Sequence, residues 1–385
     1  MTPQAVRIWK SVHKWSSLVC TLFLFVLCLT GLPLIFHDEI DQAIGAKAVP
    51  DAAASTAPLI PLDHILEIAK AARPGEVITF AVPDDDDEPI WHIFMSTALN
   101  SPRITAVVTI DDHTGRVLRV GDSARSPAIK FITDLHEELL LGENGMLFLG
   151  LVALCFIVAI VSGIVVYGPF MRRLDFGTLR PRKRQLYWLD LHNLTGVVLA
   201  AWMLVVGVTG LINTLAQQVA RHWQSTELAQ MIAPWRNAPV PAHLAPAQAA
   251  VDTALAAAPG MKVKSVAMPG TPFAGGHHYG VFLTGNQPLT SRLIKPFLIN
   301  AADGTLSDSR DLPWYAKALF ISKPLHFGDY GGMPLKIIWA LLDMITLVVL
   351  GSGLYLWGAR FFRPTSSVQH RQMMADLAST AARRP

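Results

Sequence analysis

The sequence predicts a membrane protein, mainly α: a four-helix transmembrane bundle made by an internal parallel duplication, with two small α+β domains outside the bilayer. Three observations predict it. Four apolar runs have the length of membrane spans, the first half of the chain recurs in the second, and the long segments between spans alternate as sheet strands do.

Of the 385 residues, 51% are hydrophobic and 16% charged, too apolar for a soluble enzyme and too mixed for a chain wholly inside lipid. A helix crosses a bilayer with about 20 apolar residues. Ser16–Phe36, Met146–Tyr167, Thr195–Leu215 and Pro334–Trp357 meet that length. The chain divides accordingly into an N-terminal stretch with the first span (1–36), an outer domain ending in a histidine-bearing segment (37–144), the second span (145–168) and a basic loop (169–191). The third span (192–215), a second outer domain with its own histidine-bearing end (216–333), the fourth span (334–358) and a tail (359–385) complete it.

Basic residues orient the spans. Arg172, Arg173, Arg180, Arg182, Lys183 and Arg184 crowd the short loop after the second span. Arg7, Lys10 and Lys14 precede the first span, and Arg360 and Arg363 follow the fourth. Positive residues in short loops stay cytoplasmic, so both termini are expected inside and both long segments outside. In a bacterium this means a multi-pass protein of the inner membrane with periplasmic domains. The net charge of +3 is this bias and implies no nucleic acid. The first run, basic at its start, is too long for a typical signal-peptide core, and the repeat requires it, so it is read as retained.

The repeat is direct. "HKWSSLVCTLFLFVLCLTGL" from His13 matches "HNLTGVVLAAWMLVVGVTGL" from His192; each runs from histidine to Thr-Gly-Leu, with His13 to Gly31 and His192 to Gly210 equally spaced. "LHEELLLG" holds His136 and "LHFGDYGG" holds His326; at equal spacing beyond them stand Ser162-Gly163 and Ser352-Gly353. The first and third spans run in one direction, which makes the repeat parallel, about an axis along the membrane normal. The outer segments share an order too. "PLDHILEIAKAA" has helical spacing and breaks at Pro74-Gly75; "VITFAV", "IWHIFMS" and "RITAVVTI" alternate as strands and end at the turn "DDHTGRVL". "APAQAAVDTALAAAPG", "KVKSVAM", "YGVFLTG" and "KPFLINAADGTL" repeat that order, so each outer segment is expected to be one helix on an antiparallel sheet.

Symmetry sets His13 opposite His192 and His136 opposite His326. Eighteen helical residues rise about 27 Å, close to the hydrocarbon thickness, which puts the first pair at the cytoplasmic edge and the second at the outer edge. Two imidazoles facing across an axis suit bis-axial ligation of a haem iron, which helix-bundle cores hold. Gly163 and Gly353 at the inner level, and Gly31 and Gly210 at the outer, are expected to clear room for the porphyrin; close helix packing through small residues is the alternative. Zinc is the rival metal: it normally takes four ligands, and Glu137, Glu138 and Asp329 are available only to the outer pair. No C-x-x-C-H occurs, so covalent c-type haem is excluded. Cys20, Cys28 and Cys155 fall in spans and give the outer segments no disulfides.

Other residues carry less. Asp343, a carboxylate inside a span, is a functional candidate, able to carry a proton or bond a haem edge; an ion pair with Lys336 is the alternative. Asp84–Glu88 reads as a solvated hairpin tip, and His277 and His278 in "GGHHYG" as an exposed loop able to touch an iron substrate. Trp202 and Phe25 are open to two readings, packing or electron passage.

The histidine-led helices, "DLHEELLLG", "PLHFGDYGG" and the paired "SG" motifs resemble, over essentially the whole chain, the bacterial PepSY-associated transmembrane proteins, in particular inner-membrane siderophore reductases of the FoxB kind. That resemblance implies PepSY-like outer domains and two haem b groups, one on His13 and His192 and one on His136 and His326, carrying electrons outward to reduce a ferric siderophore. His136 and His326 would serve the reducing end, with substrate in a cleft between the outer domains and siderophore-uptake proteins as partners alongside membrane lipid. No G-x-G-x-x-G opens a helix after a strand and no phosphate loop appears, which leaves quinol or a separate cytoplasmic reductase as donor. A siderophore or iron permease, and a PepSY-based regulatory or scaffold protein without redox activity, are the rival readings.

Overall fold

A computed structural model describes residues 1–359 apart from 52–56, 85–87, 102, 172–174, 182, 287–290, 292 and 329. Asp329, Arg172, Arg173, Arg182, Arg360, Arg363 and the middle of the acidic run therefore lie outside the described residues, as does nearly all of the expected tail.

Four helices are long and apolar enough to cross a membrane: α1 (Pro3–Ile35), α5 (Glu143–Met171), α6 (Arg184–Asn213) and α11 (Gly332–Gly358). Each is longer than its apolar run. α1 begins at Pro3, a residue whose fixed φ suits a first helical turn, and α6 begins at Arg184. The sequence predicts His13 and His192 at helix starts; both stand well inside their helices, because polar residues extend a helix as readily as apolar ones when one face is packed.

The remaining elements, in chain order, begin with α2 (His37–Ala43), α3 (Leu62–Ala72), β1 (Val77–Pro83), β2 (Ile90–Ser96), β3 (Ala106–Asp111), β4 (Val117–Gly121) and α4 (Pro127–Glu138). After α6 come α7 (Ala216–Trp223), a π turn (Gln224–Leu228), the short α8 (Ala229–Met231), α9 (Ala247–Ala257), β5 (Met261–Ala267), β6 (His278–Gly285), β7 (Ile294–Asn300), β8 (Leu306–Ser309) and α10 (Trp314–Phe327). Helix, four-strand meander, helix and span thus occur twice.

The chain forms two compact units. One holds residues 1–28, 158–203 and 342 onward; the other holds 29–157 and 204–341. In the second unit, the two meanders do not form separate domains. They make one antiparallel sheet in the order β4-β3-β2-β1-β5-β6-β7-β8, joined where Phe80 pairs Ala267 and Ala81 pairs Val266. The two segments expected as separate outer domains share this continuous sheet. Pairing β1 with β5 removes two exposed strand edges, each a row of unpaired backbone donors and acceptors.

One core lies under α3 and α9, where Leu62, Ile65, Ala69, Ala250, Val251 and Ala254 bury against Ile93, Met95, Val108, Ile110, Val281 and Leu283. The two helices cap each other. Asp63 accepts from the backbone N–H of Ala247 (2.7 Å) and of Gln248 (3.1 Å), and Gln248 accepts from Leu62 N–H (3.0 Å). A second cluster packs Trp223, Leu228, Met231, Leu298, Leu312 and Ala316 together with Phe273 and Phe282.

α4 starts at Ser126, whose hydroxyl accepts from Ile129 N–H, followed by proline at the first helical position. α2 anchors that start: Asp41 accepts from Ser126 N–H at 3.3 Å, and Arg125 bonds Asp38 and His37. α4 ends on two left-handed leucines, Leu139 (φ 51°) and Leu140 (φ 60°); α10 ends on left-handed Gly328 (φ 74°).

Candidate functional site

The four expected histidines come together in two pairs, one in each unit. In the first unit, His13 of α1 and His192 of α6 have ring centroids 6.3 Å apart with planes at 61°. In the second, His136 in the last turn of α4 and His326 in the last turn of α10 have centroids 6.4 Å apart at 64°.

Each ring is held from behind. His13 Nδ1 donates to the Ala159 carbonyl at 2.9 Å and lies 3.4 Å from Ser162 Oγ. His192 Nδ1 donates to the Val349 carbonyl at 3.1 Å and lies 3.0 Å from Ser352 Oγ. His326 Nδ1 donates to the Val206 carbonyl at 3.1 Å, with Thr209 Oγ1 at 3.2 Å. His136 Nδ1 is 2.9 Å from Thr30 Oγ1. A carbonyl oxygen only accepts, so in three rings Nδ1 carries the proton and Nε2 keeps its lone pair. Metal-ligating histidines almost always bond their second nitrogen in this way. Burial pushes His326 down to about 4, against its bond to Val206, which keeps the ring in the neutral form that binds metals.

The four glycines expected to give a porphyrin room lie against the imidazoles. A Cβ on Gly163 would stand 3.0 Å from His13 Cε1; on Gly210, 3.1 Å from His326; on Gly31, 3.3 Å from His136; on Gly353, 3.4 Å from His192. They clear space for the imidazole itself. With no Cβ in the way, each ring lies against the adjoining helix, and His13, His192 and His326 each reach a carbonyl one turn back. The neighbouring Ser or Thr, read from sequence only as a small residue, brings its hydroxyl to the same nitrogen. The signal was in the sequence, since Thr30-Gly31, Ser162-Gly163, Thr209-Gly210 and Ser352-Gly353 recur at repeat-equivalent positions, and each of these glycines lies against one of the four histidines.

The donor sets decide what fits. With about 2.0 Å per metal–nitrogen bond and about 1.1 Å from nitrogen to ring centre, two imidazoles on opposite sides of one metal have centroids about 6.2 Å apart. Both observed separations are within 0.2 Å of that. Among the described residues no group of three or more His, Cys, Asp or Glu is placed to hold a metal, whereas zinc normally takes four ligands. Two imidazoles alone suit a metal whose other positions a macrocycle fills, and the residues fit a bis-histidine haem.

Other expectations change. His278 is no exposed loop residue: it lies on β6, fully buried, edge-on to Trp235 at 4.6 Å, and burial pushes it down to about 4. His277 bonds the Ala238 carbonyl at 2.9 Å. Lys336 does not pair with Asp343 but with Glu39 of α2, at 2.8 Å. Asp343 is buried and takes a hydrogen bond from Cys28.

Among known proteins, the family described as PepSY-associated TM region matches residues 10–360. "Uncharacterized protein PA4219" of Pseudomonas aeruginosa is 24% identical over 251 residues, which cover 60% of this chain and 63% of that protein.

Proposed function

The chain belongs to the PepSY-associated TM region family, and from that premise we propose that it is a di-haem b electron-transfer protein of the bacterial inner membrane, an oxidoreductase that reduces a ferric siderophore in the periplasm. The observation that carries this reading is the pair of facing imidazole couples, 6.3 and 6.4 Å between centroids, each ring backed by its neighbouring helix. When bound, haem supplies one-electron chemistry at an iron whose potential the protein tunes through its axial ligands and their hydrogen bonds.

His13 and His192 would hold the inner haem and His136 and His326 the outer one, at the end nearer the substrate. In His13, His192 and His326 the Nδ1 proton is given to the carbonyls of Ala159, Val349 and Val206, which hold those rings and leave Nε2 as the ligating nitrogen. Both termini are cytoplasmic in this reading, supported by Arg7, Lys10, Lys14, Arg180, Lys183 and Arg184 flanking the first and third spans. Quinol or a cytoplasmic reductase supplies the electrons. Reduction releases iron because Fe(II), less charged and softer than Fe(III), matches hard oxygen donors poorly.

A visible spectrum of the purified chain tests the reading. A sharp Soret band, with α and β bands on reduction and two haems per chain, is the expected result. His136→Ala or His326→Ala should leave one haem and abolish Fe(II) release from a ferric siderophore, measured with a ferrous chelator in reduced vesicles. A colourless preparation, or two haems kept in either variant, overturns it and returns the permease and scaffold readings.

A further inference from the structure

We infer that Ser162, Ser352 and Thr209 are positioning residues that set the ferric–ferrous balance of the haem behind which each stands; this rests on the di-haem reading. The geometry that points to it is the direction of each hydroxyl proton. Ser162 Oγ donates to the Val158 carbonyl at 2.6 Å and to Ala159 at 3.0 Å. Ser352 Oγ donates to the Val349 carbonyl at 2.8 Å, and Thr209 Oγ1 to Val205 at 2.7 Å.

With its proton committed to its own helix, each hydroxyl offers the imidazole only lone pairs. The ring's Nδ1–H is therefore flanked by two acceptors, a carbonyl and a hydroxyl, and no donor. Two acceptors pull the Nδ1 proton outward and make Nε2 a more basic ligand. A more basic axial ligand favours the more highly charged ferric iron. The carbonyl belongs to the helix backbone and no side-chain change removes it. The hydroxyl is thus the adjustable part, set one residue before the glycine against which the ring lies.

The test uses the full chain with haem bound, in detergent or vesicles. Ser352→Ala and Thr209→Val remove one acceptor each; Ser352→Thr and Thr209→Ser keep it, an exchange this chain already makes between its two histidine pairs (Ser at 162 and 352, Thr at 30 and 209). In Ser352→Ala and Thr209→Val, two haems per chain should remain. A redox titration should show one haem's ferric-to-ferrous ratio shifted about tenfold toward ferrous at fixed ambient potential, equivalent to about 59 mV. The conservative variants should titrate as wild type. Full haem content with both titrations unmoved overturns the inference.

A second readout needs no haem. In the haem-free chain, the ¹⁵N resonance of His192 Nδ1 should move in Ser352→Ala and that of His326 Nδ1 in Thr209→Val, each leaving the other ring unchanged. Unmoved resonances overturn the inference even if a variant loses its haem. A wild-type chain that never binds haem would instead bring down the electron-transfer reading.

Discussion

Gly163 stands where His13 leans: a Cβ at that position would lie 3.0 Å from the imidazole Cε1, the closest of the four such approaches. An alanine there separates two effects of opposite sign. In a helix interior alanine is favoured over glycine by about 1 kcal/mol, while at 3.0 Å the ring must give by a few tenths of an ångström, which strains its bond to Ala159. Gly163→Ala is expected to keep or raise the melting temperature and to lower haem occupancy. Gly353→Ala, with 3.4 Å available, should keep nearly full occupancy. Melting curves and haem-to-protein ratios on both variants check the order.

Asp63 and Gln248 tie α3 to α9 across the junction of the two meanders. Asp63 satisfies two backbone donors at the start of α9 that have no partner inside that helix. Removing such a cap costs about 0.5–2 kcal/mol, so Asp63→Ala should lower the unfolding free energy by that amount. Gln248→Ala should cost less, since it satisfies one donor. Because each residue caps the other's helix, a double-mutant cycle is expected to show coupling; strict additivity would mean the two caps act alone.

Much of this was legible in the sequence, and the misses have common causes. The histidines could be paired because a direct repeat carries them at equal spacing. β1 to β3 and β5 to β7 could be read from alternation. Alternation does not reveal what lies beside a strand, so the pairing of Phe80 with Ala267 that fuses two sheets was invisible. β4 and β8 are short and follow tight turns, and their residues read as turn. The role of Ser352 needed the direction of a hydroxyl proton, which no spacing encodes. His278 misled because "GGHHYG" has the composition of a loop, while the second histidine already lies on a strand beneath Trp235.

Acid should loosen the attachment of α4. Burial alone would raise Asp38, but His37 and Arg125 outweigh it and hold the carboxyl well below its usual range. A carboxylate depressed in the folded state contributes stability that is complete above its unfolded value, about 4, and that fades as pH falls toward the folded value. Arg125 immediately precedes the Ser126 cap, so this link fixes where α4, and His136 on it, begins. Once the intrinsic pH dependence of amide exchange is divided out, protection in the first turn of α4 should fall below about pH 4. Arg125→Ala should show the faster exchange already at neutral pH; equal exchange in both proteins would count against the link.

Leu139 and Leu140, both left-handed at φ 51° and 60°, turn the chain between His136 and α5. A left-handed conformation costs a side-chain-bearing residue about 1–2 kcal/mol, and glycine there gives back about 0.5–1 kcal/mol through its freer unfolded state. Leu140 is 51% exposed, so its replacement sacrifices little packing. Leu140→Gly is expected to stabilise the chain by up to about 1 kcal/mol, and Leu140→Val to destabilise it, since a β-branched residue tolerates that backbone least. Thermal unfolding of the two variants decides the matter: the same sign for both would mean that the leucines are relaxed and that something other than the backbone shapes the turn.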